Sequence, residues 1–134
     1  MGRWQELDHT ADLALRVWGA DLADVFGTAA RGMFALLTDV DGVVVTRSVS
    51  VALDSLDAEA LLVDWLNELL YLSEAEGLAF TSFVFAVLSP THLEARVEGG
   101  PMQEYWNYIK AATFHNLEIR PTGEGYVTEL VFDT

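Results

Sequence analysis

Two groups of oxygen-bearing residues lie far apart in this 134-residue chain and are suited to form one metal site. The first is residues 8–12, Asp-His-Thr-Ala-Asp, and the second is the pair Asp133 and Thr134. Each group adjoins a segment of alternating apolar and polar residues, which predicts a strand. If the two strands are neighbours, Asp12, Asp133 and the terminal carboxylate converge, and such oxygen ligands suit a hard cation. Aspartate and threonine are also common in turns, so a structural role stays open on spacing alone.

The composition is that of a globular protein, because 51% of the residues are apolar and only 21% are charged. The length predicts a single domain over residues 1–134. We find no apolar run long enough to span a bilayer and no basic-then-apolar leader, so we expect a cytoplasmic protein away from membranes. Cysteine is absent, which excludes disulfides and thiolate metal sites.

The chain is strongly acidic, with a formal net charge of -14. Such a surface repels the phosphates of nucleic acids, so we expect no direct tight binding of DNA or RNA. It suits metal ions or a basic protein partner. Lys110 is the only lysine, and this isolation raises the question of a specific role.

Hydrophobic periodicity predicts an α+β fold. Two stretches have helical apolar spacing: one follows Asp21, with Asp24 completing a capping box, and one runs from Asp54 and Ser55 to Gly77. Alternation predicts strands at residues 4–7, 13–18, 43–53, 79–88, 92–98, 109–120 and 126–132. We therefore predict one two-layer domain, with a mostly antiparallel sheet and two helices on one face.

Several further positions carry expectations from these elements. Gly27 and Gly32 weaken the first helix and are expected to pack closely against the sheet. A loop is expected to begin at residues 99–101. The aromatic residues at 105–108 then indicate either a partner surface or a cover for a sheet edge. On the strand at 109–120, His115 should be half-buried and hydrogen-bonded, on the face opposite Lys110.

Four blocks of the chain resemble the archease family. Residues 8–12, with the strand that follows and the pair Trp18 and Gly19, resemble that family's opening signature. Residues 61–71 are similar to its middle block, residues 109–115 to its lysine-bearing strand, and residues 131–133 to its carboxyl end. The blocks occur in the family's order and span nearly the whole chain.

The resemblance implies a protein cofactor and not an enzyme. Its expected partner is the RtcB-type RNA-splicing ligase, which joins tRNA halves and other broken RNAs with GTP and manganese. Family members promote guanylylation of that ligase and so permit multiple turnover in tRNA splicing. The implied metal site is Asp12, Asp133 and Thr134, holding a divalent cation, with calcium preferred over magnesium or manganese.

The resemblance also marks Asp8, His9 and Lys110 as functional candidates. Lys110 would either contact ligase or nucleotide phosphate or pair with a neighbouring carboxylate at the surface. The chain departs from the family pattern at two places. The segment before Lys110 is shorter and more aromatic than usual, and Thr134 replaces a more usual aliphatic residue. The altered loop leaves its contacts with a partner open.

Two other functions are compatible with the same residues. One is a stand-alone metal-dependent hydrolase with Asp12 and Asp133 as ligands and His9 or His115 as the acid or base. The sequence contains no nucleophile motif or phosphate-binding loop for such an enzyme. The other is a cation-binding, chaperone-like protein with no role at the ligase.

Overall fold

The computed structural model describes residues 2–8 and 12–134. His9 therefore lies outside the described residues. The described chain forms two α-helices, one short 3-10 helix at Val40–Gly42 and eight strands. In chain order they are β1 (Arg3–Leu7), β2 (Leu13–Gly19), α1 (Leu22–Leu37), β3 (Arg47–Asp54), α2 (Ala58–Glu76), β4 (Leu78–Leu88), β5 (His92–Pro101), β6 (Ala111–Ala112), β7 (Arg120–Thr122) and β8 (Gly125–Asp133).

The strands form two antiparallel sheets and not one continuous sheet. The larger sheet has the order β1-β2-β8-β6, with β7 also paired to β8, and the smaller has the order β3-β5-β4. Helix α1 packs against β2 of the larger sheet and β4 of the smaller one, while α2 packs against β3, β4 and β6. The predicted α+β class, with two helices and antiparallel strands, is confirmed.

A shared hydrophobic core lies between the helices and the inner faces of the sheets. All six members of the predicted apolar stripe of α2 are buried: Leu61, Leu62, Trp65, Leu66, Leu69 and Leu70. Trp65 also donates from Nε1 to the carbonyl of Phe26 in α1 at 3.0 Å, so its polar atom is satisfied inside the core. Within the described residues, neither helix is long and apolar enough to cross a membrane.

The N-terminus of α1 is capped as predicted at Asp21, whose side chain accepts from the amide of Asp24 at 2.8 Å. The Asp24 carboxylate accepts from Ala20 N at 2.9 Å and from Gly2 N at 2.8 Å, which ties the start of the chain to the helix. Partial burial acts to raise the pKa of Asp24, but these amide hydrogen bonds outweigh it and hold that pKa below its ordinary value.

Helix α2 begins later than the sequence indicates. Asp54 is the last residue of β3, paired with His92, and the cap is Asp57, which accepts from Ala60 N at 2.8 Å. Both aspartates can cap a helix, and strand pairing decided which one does. The predicted end is confirmed, since Gly77 has a φ of 68°, the left-handed conformation that terminates many helices.

Only one of the two glycines in α1 packs as closely as expected. A Cβ on Gly32 would lie 2.9 Å from Leu15 Cδ1 and 3.0 Å from Trp4 Cγ, so the close approach to the sheet there is confirmed. At Gly27 the nearest atom would be 3.5 Å away, on the flexible side chain of Arg31, which is ordinary contact. The expectation for Gly27 is wrong.

The long strand predicted at 109–120 is also wrong. Of residues 109–120, Ala111–Ala112 and Arg120 pair with β8, and the chain between them turns, with Asn116 at a φ of 50°. The two-face arrangement that set Lys110 opposite His115 therefore does not hold, and His115 is exposed and not half-buried. Residues 99–101 belong to β5 and not to a loop, and the strand predicted from residue 43 begins at 47.

Candidate functional site

The register between β2 and β8 brings Asp12 and Asp133 to the same edge of the larger sheet. Leu13 pairs with Phe132, Asp12 precedes Leu13, and Asp133 follows Phe132. Asp12 and Asp133 therefore lie one position beyond the last pair of this register, at the same end of β2 and β8. Asp12 is half-buried and Asp133 is exposed. The two aspartates that adjoin the predicted strands are thus neighbours in the fold.

Lys110 is held at the same edge by its backbone. Its amide donates to the carbonyl of Asp133 at 2.8 Å, and Ala111 pairs with Asp133 in the ladder between β6 and β8. The Lys110 side chain is exposed. The sheet edge therefore combines an ammonium group on one chain segment with carboxylates on two others.

The donors at this edge are chemically suited to a hard cation. Asp12 and Asp133 supply carboxylate oxygens, and Thr134, the next residue, would supply a backbone or terminal oxygen. Within residues 2–8 and 12–134, no three His, Asp or Glu side chains come close enough to hold a metal by themselves. The oxygens of Thr134 would add to the two carboxylates in holding a cation at this edge.

A groove of about 380 Å³ lies on the outer face of the larger sheet, and Asp8, Arg16, His115 and Glu129 contribute to its lining. Arg16 donates from Nε at 3.0 Å and from its terminal nitrogen at 2.7 Å to the Glu129 carboxylate. The predicted candidate Asp8 thus faces this groove, and it is exposed. The register of β2 and β8 places Arg16 directly opposite Glu129.

A second charged cluster lies on the smaller sheet. His92 Nδ1 is 2.7 Å from Asp54 and its Nε2 is 2.7 Å from Glu94. Hydrogen bonds to Glu94 and then Asp54 raise the pKa of His92 above its ordinary value. His92 is thus a residue of β5 held between two carboxylates.

The aromatic residues at 105–108 cover the end of a helix. The Trp106 amide donates to Leu37 O at 2.8 Å, and Asn107 Nδ2 donates to Leu36 O at 2.7 Å. These are carbonyls of the last turn of α1, which have no partner within the helix. The side chains of Tyr105, Trp106 and Tyr108 remain exposed. Of the two alternatives from sequence, the cover for a sheet edge does not match these contacts.

The fold and sequence both have close relatives. The model of the archease protein family matches residues 4–134. Protein archease of Methanopyrus kandleri is 31% identical over 97% of this chain and 98% of that protein. Protein archease of Archaeoglobus fulgidus is 33% identical, with 98% of each chain covered.

Two solved structures share the architecture. The solution structure of protein 1598 of Methanobacterium thermoautotrophicum is similar with a TM-score of 0.85 and 31% identity over 98% of both chains. The crystal structure of an archease, described as a possible chaperone, from Thermotoga maritima is similar with a TM-score of 0.69. That second likeness, at 23% identity over 97% of this chain and 96% of the other, concerns the fold alone.

Two antiparallel sheets and two helices, with Asp12 and Asp133 at one edge of the larger sheet, define a class of small acidic α+β proteins. The match to the family model over nearly the whole chain narrows this class to one family. The chain belongs to the archease family, as the resemblance in its four sequence blocks predicts.

Proposed function

We propose that this protein is a cytoplasmic accessory protein that activates an RtcB-type RNA-splicing ligase and is not itself an enzyme. In this proposal Asp12, Asp133 and Thr134 hold a divalent cation, and calcium is the preferred ion. The observation that carries the proposal is the register of β2 and β8, which makes Asp12 and Asp133 neighbours although they are distant in sequence. The family membership supports the accessory role.

The chemistry of the sheet edge suits contact with a nucleotide-binding partner. A bound cation would supply positive charge where this acidic chain otherwise presents carboxylates. Lys110, whose backbone is fixed to Asp133, extends a second positive charge from the same edge. An ammonium group acts on phosphate as a flexible point charge, so Lys110 is placed to contact ligase or nucleotide phosphate.

The net charge supports a protein partner over RNA. A ligase that holds RNA needs a basic channel, and a chain with a net charge of -14 is attracted to such a surface without competing for phosphates. This charge distribution favours an activator that docks beside the RNA channel of the ligase.

The test is a guanylylation assay with an RtcB-type ligase, GTP and manganese, with and without this protein. We expect the wild-type protein to increase the rate and to permit multiple turnover, and Asp12→Ala or Asp133→Ala to remove this effect. Asp41→Ala, a change of an exposed aspartate in the short 3-10 helix, serves as the matched control. If the wild-type protein leaves guanylylation unchanged, the proposal is wrong.

A cation-binding, chaperone-like role without the ligase is the second candidate, which the sequence leaves open. It predicts that the protein suppresses aggregation of unrelated unfolding proteins at equimolar ratio, with no dependence on the ligase. Suppression of aggregation together with no stimulation of the ligase would favour this candidate. Turnover of phosphoesters by the isolated protein would instead favour a hydrolase.

A further inference from the structure

We propose that a groove between α2 and residues 102–109 is a docking site for a basic segment of a partner protein that carries one apolar anchor side chain. We call it the α2 groove, and its apolar lining includes Leu37, Leu70, Met102 and Ile109. Its volume is about 170 Å³. Since an apolar cavity of about 150 Å³ accepts a benzene molecule, the α2 groove can accept one leucine or phenylalanine side chain.

The wall of the α2 groove is presented on a fixed backbone. Tyr105 and Tyr108 line it, and they flank the two residues whose groups bond to the last carbonyls of α1. Thr38 Oγ1 also donates to the carbonyl of Glu104 at 2.5 Å. Despite this anchoring, Tyr105 is 71% exposed and Tyr108 is 60% exposed. Exposed tyrosines on an ordered segment provide the contact area typical of protein interfaces, at a small cost in conformational entropy.

The charge of the α2 groove defines its occupant. Glu74 lines it, and among the described residues that line it there is no lysine or arginine. Aromatic side chains also stack on single-stranded RNA, but such sites need a positively charged groove to hold the backbone. A second copy of this chain would bring another charge of -14 to an acidic rim. A segment with arginine or lysine beside its apolar anchor is therefore the complementary partner.

The position of the α2 groove connects it with the proposed function. Ile109 lines the groove, while the next residue, Lys110, bonds through its amide to Asp133. The Cα atoms of Ile109 and Lys110 are about 3.8 Å apart, as in any two consecutive residues. A segment in the groove therefore lies beside the sheet edge that carries Asp12 and Asp133. The assignment of this segment to the ligase rests on the proposed function. The chemistry of the segment follows from the groove and does not depend on that function.

The first experiment tests the α2 groove without the ligase. Two short acetylated peptides of equal length, one with a phenylalanine between arginines and one with the same phenylalanine between glutamates, are titrated into the isotope-labelled protein. We expect the basic peptide to shift the amide NMR signals of residues 70–77 and 102–109, and the acidic peptide to shift none of them. The proposal is overturned if millimolar basic peptide leaves these signals unchanged or if both peptides shift them equally.

Variants then separate the groove from the rest of the surface. Tyr108→Ser and Glu74→Lys should each weaken binding of the basic peptide about tenfold, because the first removes an aromatic contact and the second sets a like charge against the arginines. Tyr71→Ser is the control for Tyr108→Ser. Tyr71 lies on α2 and is 67% exposed, but it does not line the groove. Glu98→Lys, on β5, is the control for the charge reversal. Equal losses in the groove and control variants would overturn the proposal.

The same four variants are finally compared for affinity to the RtcB-type ligase. Tyr108→Ser and Glu74→Lys should raise the Kd for the ligase about tenfold and leave calcium affinity and Tm unchanged. If the ligase does not bind wild-type protein, the proposed function fails, while the peptide result still decides the groove. If the ligase binds wild-type and groove variants equally, assignment of the groove to the ligase is wrong.

Discussion

The side-chain amide of Asn67 pairs with the backbone of Ala112 as a neighbouring strand would. Ala112 N donates to Asn67 Oδ1 at 2.7 Å, and Asn67 Nδ2 donates to Ala112 O at 3.2 Å. The two-residue strand β6 is therefore held between β8 on one side and a side chain of α2 on the other. Since Lys110 lies two residues before Ala112, the hydrogen bonds between Asn67 and Ala112 help to fix the backbone of Lys110 beside Asp12 and Asp133.

Replacing Asn67 should loosen β6. Asn67→Asp keeps the shape but sets a carboxylate oxygen against the Ala112 carbonyl, and we expect a loss of roughly 1–3 kcal/mol in the free energy of unfolding. Urea unfolding measures the loss, and faster hydrogen exchange at the Ala112 amide locates it. Gln103→Glu, the same chemical change at an exposed position, is the control and should stay within about 0.5 kcal/mol of wild type.

Asp12 and Asp133 should act on calcium binding as one unit. We expect Asp12→Ala and Asp133→Ala each to remove most of the calcium affinity, and the double variant to lose little more, because both would serve one ion. Isothermal titration calorimetry gives the affinities. Two single variants that bind calcium like wild type would contradict the site, and strictly additive losses would contradict the sharing of one ion.

Lys110 is expected to act at the contact with the ligase and not in the fold. Its side chain is exposed, so Lys110→Met should leave Tm and calcium affinity unchanged while abolishing stimulation of guanylylation. Lys110→Arg keeps the charge but changes its reach and hydration, and it should also lose stimulation. Wild-type stimulation by a folded Lys110→Met protein would show that the lysine has no role there.

His92 should make stability depend on pH. Its folded-state pKa is raised by Glu94 and Asp54, so the protonated form is the one that the fold stabilises. This contribution is fully present below the ordinary histidine pKa of about 6.5 and is lost as pH rises through the folded-state pKa. The free energy of unfolding of wild type should therefore be higher than that of His92→Gln, and this difference should be larger at about pH 5.5 than at about pH 8.5. Urea titrations at both values test this, and the opposite order would contradict it.

The two glycines of α1 should respond oppositely to alanine. Gly27→Ala meets no atom closer than 3.5 Å, so it should stabilise the protein by about 0.5–1 kcal/mol through better helix propensity. Gly32→Ala would approach Leu15 and Trp4 within about 3 Å, so overpacking should cancel that gain and leave a loss of about 1 kcal/mol or more. Thermal unfolding of the two variants compares them directly, and equal shifts in Tm would contradict this account.

The success of the sequence analysis depended on how local each signal was. Alternation over a few residues located β2 and β8, and with the motif at 8–12 it predicted that Asp12 and Asp133 would be neighbours. Between 109 and 120 the apolar pattern is similar, yet a strand there needs a neighbour beyond residue 112. After Ala112, whose partner on that side is the Asn67 side chain, the chain turns at Asn116, which no local pattern encodes. The predicted start of α2 was wrong for a related reason. Asp54 and Asp57 are both suited to cap the helix, but Asp54 pairs with His92 in the sheet and Asp57 is the cap.

The place of β8 between β2 and β6 has a consequence for folding. Arg16 of β2 and Glu129 of β8 are partners although 113 positions separate them in the sequence. Pairing of β2 with β8 therefore closes one of the longest loops in the chain. Contacts of such separation form late and slowly, because the entropy of loop closure opposes them. Asp12 and Asp133 become neighbours only when β2 pairs with β8. A cation that needs both carboxylates would bind the completed fold and not the unfolded chain, and it would shift the folding equilibrium by mass action.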